Sequence, residues 1–129
     1  MADKVVVETD GAPAPAGLPY SQGVRLGDLI YATGQLPVDP VSGELIDEDE
    51  IRAQTDRVMR NIQAIVEAAG SSLENGLKAT VYMADLADFD GMNEVYRRYV
   101  GERPPARTTF QVAALPLGSR VEIEFIAHA

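Results

Sequence analysis

The sequence predicts an α+β domain, with a mixed six-stranded sheet and two helices packed on one face. Three observations lead there. Ile51 to Ala69 and Asp88 to Val100 repeat their apolar residues at spacings of three, four and seven. Six shorter stretches are β-branched or alternate apolar with polar residues. Links bearing Gly and Pro separate these stretches, in the order β, β-hairpin, α, β, α, β, β. Two helices cannot cover both faces of such a sheet, so one face is left for solvent or a partner, and an oligomer is the natural solution.

Taken in order, Lys4 to Glu8 (KVVVE) is a short strand. Residues 10–20 hold three prolines and two glycines, which continue neither a ladder nor a helix. Val24-Arg25-Leu26 and Leu29 to Thr33 flank Gly27-Asp28, a two-residue link that predicts a tight hairpin. The second strand runs into Thr33-Gly34, where a hydroxyl and an unshielded backbone N–H suit a small anion; a simple bulge or turn glycine explains the same dipeptide. Asp39 to Gly43 is a turn. Acidic residues at 47–50 precede the first helix, at the positive end of its dipole, and Gly70 follows it. Ser71 to Glu74 begins a short capped turn, and Leu77 to Met83 is a strand. In the second helix Phe89, Met92, Val95, Tyr96 and Tyr99 form the apolar stripe, read as core or interface packing, with Asn93 one position off it. Pro104 to Val112 and Val121 to Ile126 are extended, around a turn at Leu115 to Gly118.

Composition bounds the chemistry. The 129 residues predict a single domain over 1–129, with 46% hydrophobic and 24% charged residues. No apolar run approaches the ~18 residues that span a bilayer, and no basic-then-apolar leader opens the chain. Cysteine is absent, which removes disulfides and thiolate chemistry and fits a cytoplasmic location. A net charge of −9 argues against nucleic acid and anionic membrane as partners. The sole histidine, His128, is next to last, so a His-based triad or metal site is not expected. No phosphate-binding glycine motif is present.

What remains is an anion clamp with hydroxyls, backbone donors and carboxylates. Arg107, Thr109 and Gln111 share one face of their strand; Thr108, Phe110 and Val112 share the other and read as its buried side. Val121, Ile123 and Phe125 alternate with Glu122 and Glu124. Arginine grips a planar anion through two parallel hydrogen bonds, and a carboxylate nearby can hold or activate a water. If the last two strands formed a simple hairpin, Glu122 would lie roughly 17 Å from Arg107, too far to act on one small molecule. Either the strands pair otherwise or the site borrows residues from a second chain.

Pro19-Tyr20-Ser21-Gln22-Gly23, Thr33-Gly34-Gln35-Leu36-Pro37, Asp88 to Tyr96, Pro105-Ala106-Arg107 and Val121 to Glu124 resemble, in order and spacing, the RidA (YjgF) family of reactive-intermediate deaminases. The resemblance runs from Gly17 to Ala127. It implies a chorismate-mutase-like fold and a homotrimer with a central β-barrel and clefts between subunits. It also implies hydrolysis of 2-imino or enamine acids to 2-oxo acids and ammonia, with no cofactor and no metal. By resemblance Arg107 binds the substrate carboxylate and Glu122 serves the hydrolytic water. Thr33, Gly34, Tyr20 and Asn93 line the cleft, as does Thr109, where many members carry a cysteine. The alternative is a non-catalytic trimeric small-carboxylate-binding or regulatory protein. A ribonuclease, an activity reported for some relatives, is disfavoured by the charge and the missing histidine pair.

Overall fold

The computed structural model describes residues 3–129. Its strands and helices come in the expected order: β1 (Val5–Val7), β2 (Gly23–Leu26), β3 (Leu29–Gln35), α1 (Ile51–Ala68), β4 (Gly76–Met83), α2 (Phe89–Val100), β5 (Ala106–Gln111) and β6 (Val121–His128). The six strands form one sheet in the order β1-β2-β3-β6-β4-β5. All neighbours are antiparallel except β4 and β5. The last two strands are therefore not a hairpin, because β4 lies between them. A parallel pair needs a crossover connection, and α2 supplies it. Helix α1 likewise carries the chain from β3 to β4, across β6, and the two helices pack on each other.

Local chemistry explains α1. The Glu50 carboxylate caps its N-terminus, accepting from the Ala53 N–H at 2.9 Å. Gly70, at φ 90°, takes the chain out of it. Ile51, Val58, Met59, Ile62, Ile65 and Val66 are buried as the periodicity predicts. They meet the sheet face carrying Ile30, Ala79, Val81, Ile123 and Phe125. Each such Ile, Val or Phe contributes about 1.5–3 kcal/mol by leaving water. Periodicity does not reveal the buried amides beside them. Gln54 accepts from the Arg120 N–H at 2.8 Å, and Asn61 donates to the Val38 carbonyl at 2.9 Å. These bonds tie the 36–48 segment and the start of β6 to α1.

The proline-bearing segment before β2 is held by Gln22, which is 3% exposed. Its amide accepts from Thr9 N–H at 2.8 Å and donates towards the carbonyls of Thr9, Ala12 and Pro13 at 2.9–3.0 Å. Orphaning a buried polar group costs about 1–3 kcal/mol. Gln22→Leu should therefore lower the urea unfolding free energy by at least about 2 kcal/mol. An unchanged midpoint would mean that the segment is held by other contacts.

The two faces of β5 are the reverse of the expectation. Arg107 pairs in register with Ala79 and Thr109 with Val81, which puts both on the helix side. Thr108 and Phe110 pair with Thr80 and Tyr82 on the open face, and Phe110 is 42% exposed. The cause is position. On the edge strand β5 the side facing α2 accommodates a long polar side chain. Phe110 instead packs edge-to-face on Tyr82, ring centroids 5.3 Å apart.

Candidate functional site

On the helix side, β5 and α2 build a cradle around Arg107. Its Nη1 donates to Asn93 Oδ1 at 2.6 Å. Its guanidinium carbon lies 5.0 Å from the Tyr96 ring centroid and 5.7 Å from that of Phe89. Phe89, Asn93 and Tyr96 follow one another at spacings of four and three, so one side of α2 presents all three. Among the described residues no carboxylate pairs with Arg107, and its Nε and Nη2 make no hydrogen bond. One edge of the planar fork is left for an anion. A groove opens beside it, lined by Asn93, Tyr96, Val100, Pro105 and Arg107. Thr109, on the same side of β5, has a buried hydroxyl without a partner among the described residues.

On the open face the organising feature is a β-bulge. Ala32 pairs with Phe125 and Gln35 with Ile123, so β3 carries one extra residue at Thr33-Gly34. The bulge brings Gly34 against Glu122, where a β-carbon on Gly34 would collide with the carboxylate. Glu122 is partly buried and makes no hydrogen bond among the described residues. Burial, and secondarily the Glu124 charge, push its pKa above the ordinary glutamate value. Glu124 accepts from the Tyr82 hydroxyl at 2.8 Å, and that bond, ahead of burial, raises the Tyr82 pKa. A shallow groove beside it is lined by Ser21, Val24, Tyr31, Thr33, Glu124 and Ile126. Tyr20, exposed, lines a neighbouring pocket with Val6, Thr9 and Ser21.

The predicted residues thus fall into two groups: Arg107, Asn93 and Thr109 on the helix side, and Glu122, Gly34, Thr33 and Tyr20 with the open face. Register places Arg107 and Glu122 three residues apart along the strands and two strands apart across them, roughly 14 Å between backbones. Their side chains leave opposite faces of the sheet. Tyr96 and Phe89 are the site residues that the sequence reading assigned to packing alone. Their spacing with Asn93 along α2 was the available signal.

Gly34→Ala tests the close approach on the open face. Gly34 is not among the residues at positive φ, so alanine meets only the carboxylate and no backbone strain. Any activity that depends on Glu122 should fall at least about tenfold if the carboxylate is displaced by an ångström or so, with little change in the thermal midpoint. Full activity in this variant would show that the position of Glu122 does not matter.

Fold and site together define a small α+β protein that presents an unpaired arginine fork on one side of its sheet and a partly buried carboxylate on the other. The chain belongs to the RidA/RutC family, whose model, described as Endoribonuclease L-PSP, matches residues 9–129. It is 49% identical to a RutC family protein of Pyrococcus abyssi over 125 residues, 97% of each chain. It is 46% identical to a Capra hircus protein named 2-iminobutanoate/2-iminopropanoate deaminase, covering 95% of this chain and 88% of that one. The crystal structure of RidA from an Antarctic Psychrobacter superposes with a TM-score of 0.90 at 46% identity, covering 97% of this chain and 99% of that one. Among the described residues no helix is long and apolar enough to cross a membrane.

Proposed function

We propose that the protein is a homotrimer that hydrolyses reactive 2-imino and enamine acids, such as 2-iminopropanoate and 2-iminobutanoate, in clefts between subunits. The open sheet faces would meet in a central barrel. One observation carries the reading: an unpaired Arg107 and an unpaired Glu122 leave opposite faces of one sheet, an arrangement that becomes a single site when two chains are apposed. The name carried by the Capra hircus relative supports the choice of substrate.

In such a cleft the Nε/Nη2 edge of Arg107 holds the substrate carboxylate through two parallel hydrogen bonds. The Gly34 N–H and the Thr33 hydroxyl complete the cradle. Asn93 fixes the arginine, while Tyr20 and Thr109 line the walls. Glu122 accepts a proton from water as the water oxygen bonds to the imine carbon. The C–N bond of the resulting carbinolamine then breaks. The nitrogen receives both protons of the water by way of Glu122, one as the carbinolamine forms and the other from its hydroxyl as the C–N bond breaks, and leaves as ammonia while the carbon becomes the carbonyl of a 2-oxo acid. One water is consumed and no electrons are transferred, so the chemistry requires no redox or organic cofactor. Proximity and orientation supply up to about 7–11 kcal/mol in well-aligned cases.

The test is a coupled assay in which an amino-acid oxidase or a pyridoxal-phosphate dehydratase generates the imine in place. Addition of the protein should speed release of ammonia and 2-oxo acid. No acceleration with either the three- or the four-carbon imine would overturn the catalytic reading and favour carboxylate binding without turnover.

A further inference from the structure

We propose that Tyr96 is a positioning residue, whose ring rather than its hydroxyl holds the Arg107 guanidinium in the plane that receives a carboxylate. The inference rests on the reading of Arg107 as the carboxylate clamp. It starts from an anomaly. Tyr96 is 5% exposed, and its hydroxyl is buried with no hydrogen-bond partner among the described residues. A buried tyrosine normally finds a partner for its O–H, and leaving it bare is unfavourable. The hydroxyl has no partner among the described residues, so the contact that Tyr96 makes with the site is through the face of its ring.

That face is 5.0 Å from the Arg107 guanidinium carbon, with Phe89 at 5.7 Å and the Asn93 bond at 2.6 Å. Two rings and one amide leave the fork little freedom to rotate, and cation–π attraction is stronger where water is excluded. Burial pushes the phenol up to about 12, against the opposing pull of the Arg107 charge, so no phenolate forms at neutral pH to neutralise the guanidinium. The arginine is thus oriented by groups that do not consume its charge, and its free edge stays available for an incoming anion.

The experiment uses the full chain and 2-oxobutanoate, an unreactive carboxylate, as the probe in an NMR titration. The Arg107 Nε–H signal, assigned by its loss in Arg107→Lys, serves as a second readout. Ring currents should displace that signal in the wild type. Tyr96→Leu should move it towards the position of a free arginine and weaken 2-oxobutanoate binding by about fivefold or more. Tyr96→Phe, which retains the ring, should keep the displaced signal and restore affinity to within about twofold. Phe89→Leu, at a position 37% exposed and so a small risk to folding, should give a smaller change in the same direction. It decides the matter if Tyr96→Leu does not fold: an unmoved signal and unchanged affinity there would overturn the cradle. Wild-type affinity in Tyr96→Leu, with binding lost in Arg107→Ala, would overturn the role of Tyr96 and leave the clamp standing. Wild-type affinity in Arg107→Ala would overturn the clamp itself. Equal weakening by Tyr96→Phe and Tyr96→Leu would assign the role to the hydroxyl and contradict the proposal.

Discussion

Arg107→Lys should lose at least about tenfold in kcat/KM for imine hydrolysis, nearly as much as Arg107→Ala. Lysine keeps the charge, so a site that merely attracts anions would be substantially rescued. A clamp is not, because an ammonium cannot offer two coplanar donors to both carboxylate oxygens. A hydrogen bond to a charged group contributes about 1.5–3 kcal/mol, and losing one already accounts for tenfold. Misplacing the imine carbon relative to the water adds to that. Folding should survive, though not because Arg107 lies on an outer polar face. It lies on the helix side, where its fixed contacts are two rings and one amide. Lysine retains the stem and the cation there, so the stability change should be about 1 kcal/mol or less. The measurement is steady-state kinetics on both variants, with thermal melts as control. Near-wild-type turnover in the lysine variant would reduce Arg107 to a source of field.

Glu122→Gln should lower kcat by about a hundredfold or more, the lower end of what a positioned general base contributes, while 2-oxobutanoate still binds. The raised pKa adds two signed consequences. Only the carboxylate takes a proton from water, so kcat/KM should fall as pH drops through the Glu122 midpoint, which burial and Glu124 raise and an apposed Arg107 would lower. Folding linkage runs the other way. A folded-state pKa above the unfolded one gives stability that is complete below the unfolded pKa and is lost as pH rises through the folded pKa. Within one chain the ionised Glu122 is therefore a stability cost at neutral pH, which an apposed Arg107 would offset, so Glu122→Gln should melt close to the wild-type temperature. Glu124→Gln removes the second cause of the shift, so its kcat should stay close to wild type and the acid limb should move to lower pH. Loss of turnover in the Glu124 variant with Glu122 dispensable would mean that the wrong carboxylate had been chosen.

Much of this architecture is legible in the sequence because it depends on periods. The α1 stripe and the alternation of Glu122 and Glu124 along β6 follow from spacings of 3.6 and 2, and the Gly27-Asp28 hairpin from its two-residue link. The face of β5 is not legible in that way. Arg107, Thr108, Thr109 and Phe110 alternate cleanly, but alternation does not say which side meets a helix, and the apolar Phe110 points to the wrong one. On an edge strand the aromatic ring is satisfied by one cross-strand neighbour, Tyr82. Strand order is equally silent in a local pattern, since the separation of β5 from β6 by β4 is a crossover property of the whole chain. The Arg107 cradle was hidden because Phe89 and Tyr96 are apolar enough to pass for core.

The central claim, that Arg107 of one chain works with Glu122 of another, has a direct test by subunit mixing. Arg107→Ala and Glu122→Gln should each be nearly inactive alone. Unfolded together in equal amounts and refolded so that subunits of the proposed trimer mix, they should recover roughly one quarter of wild-type activity. That is the share of interfaces that pair an intact arginine with an intact glutamate in a head-to-tail ring. Recovery near that level is the predicted result. If mass spectrometry shows mixed trimers and activity stays at the average of the two variants, Arg107 and Glu122 do not share a site across an interface, and the account is wrong.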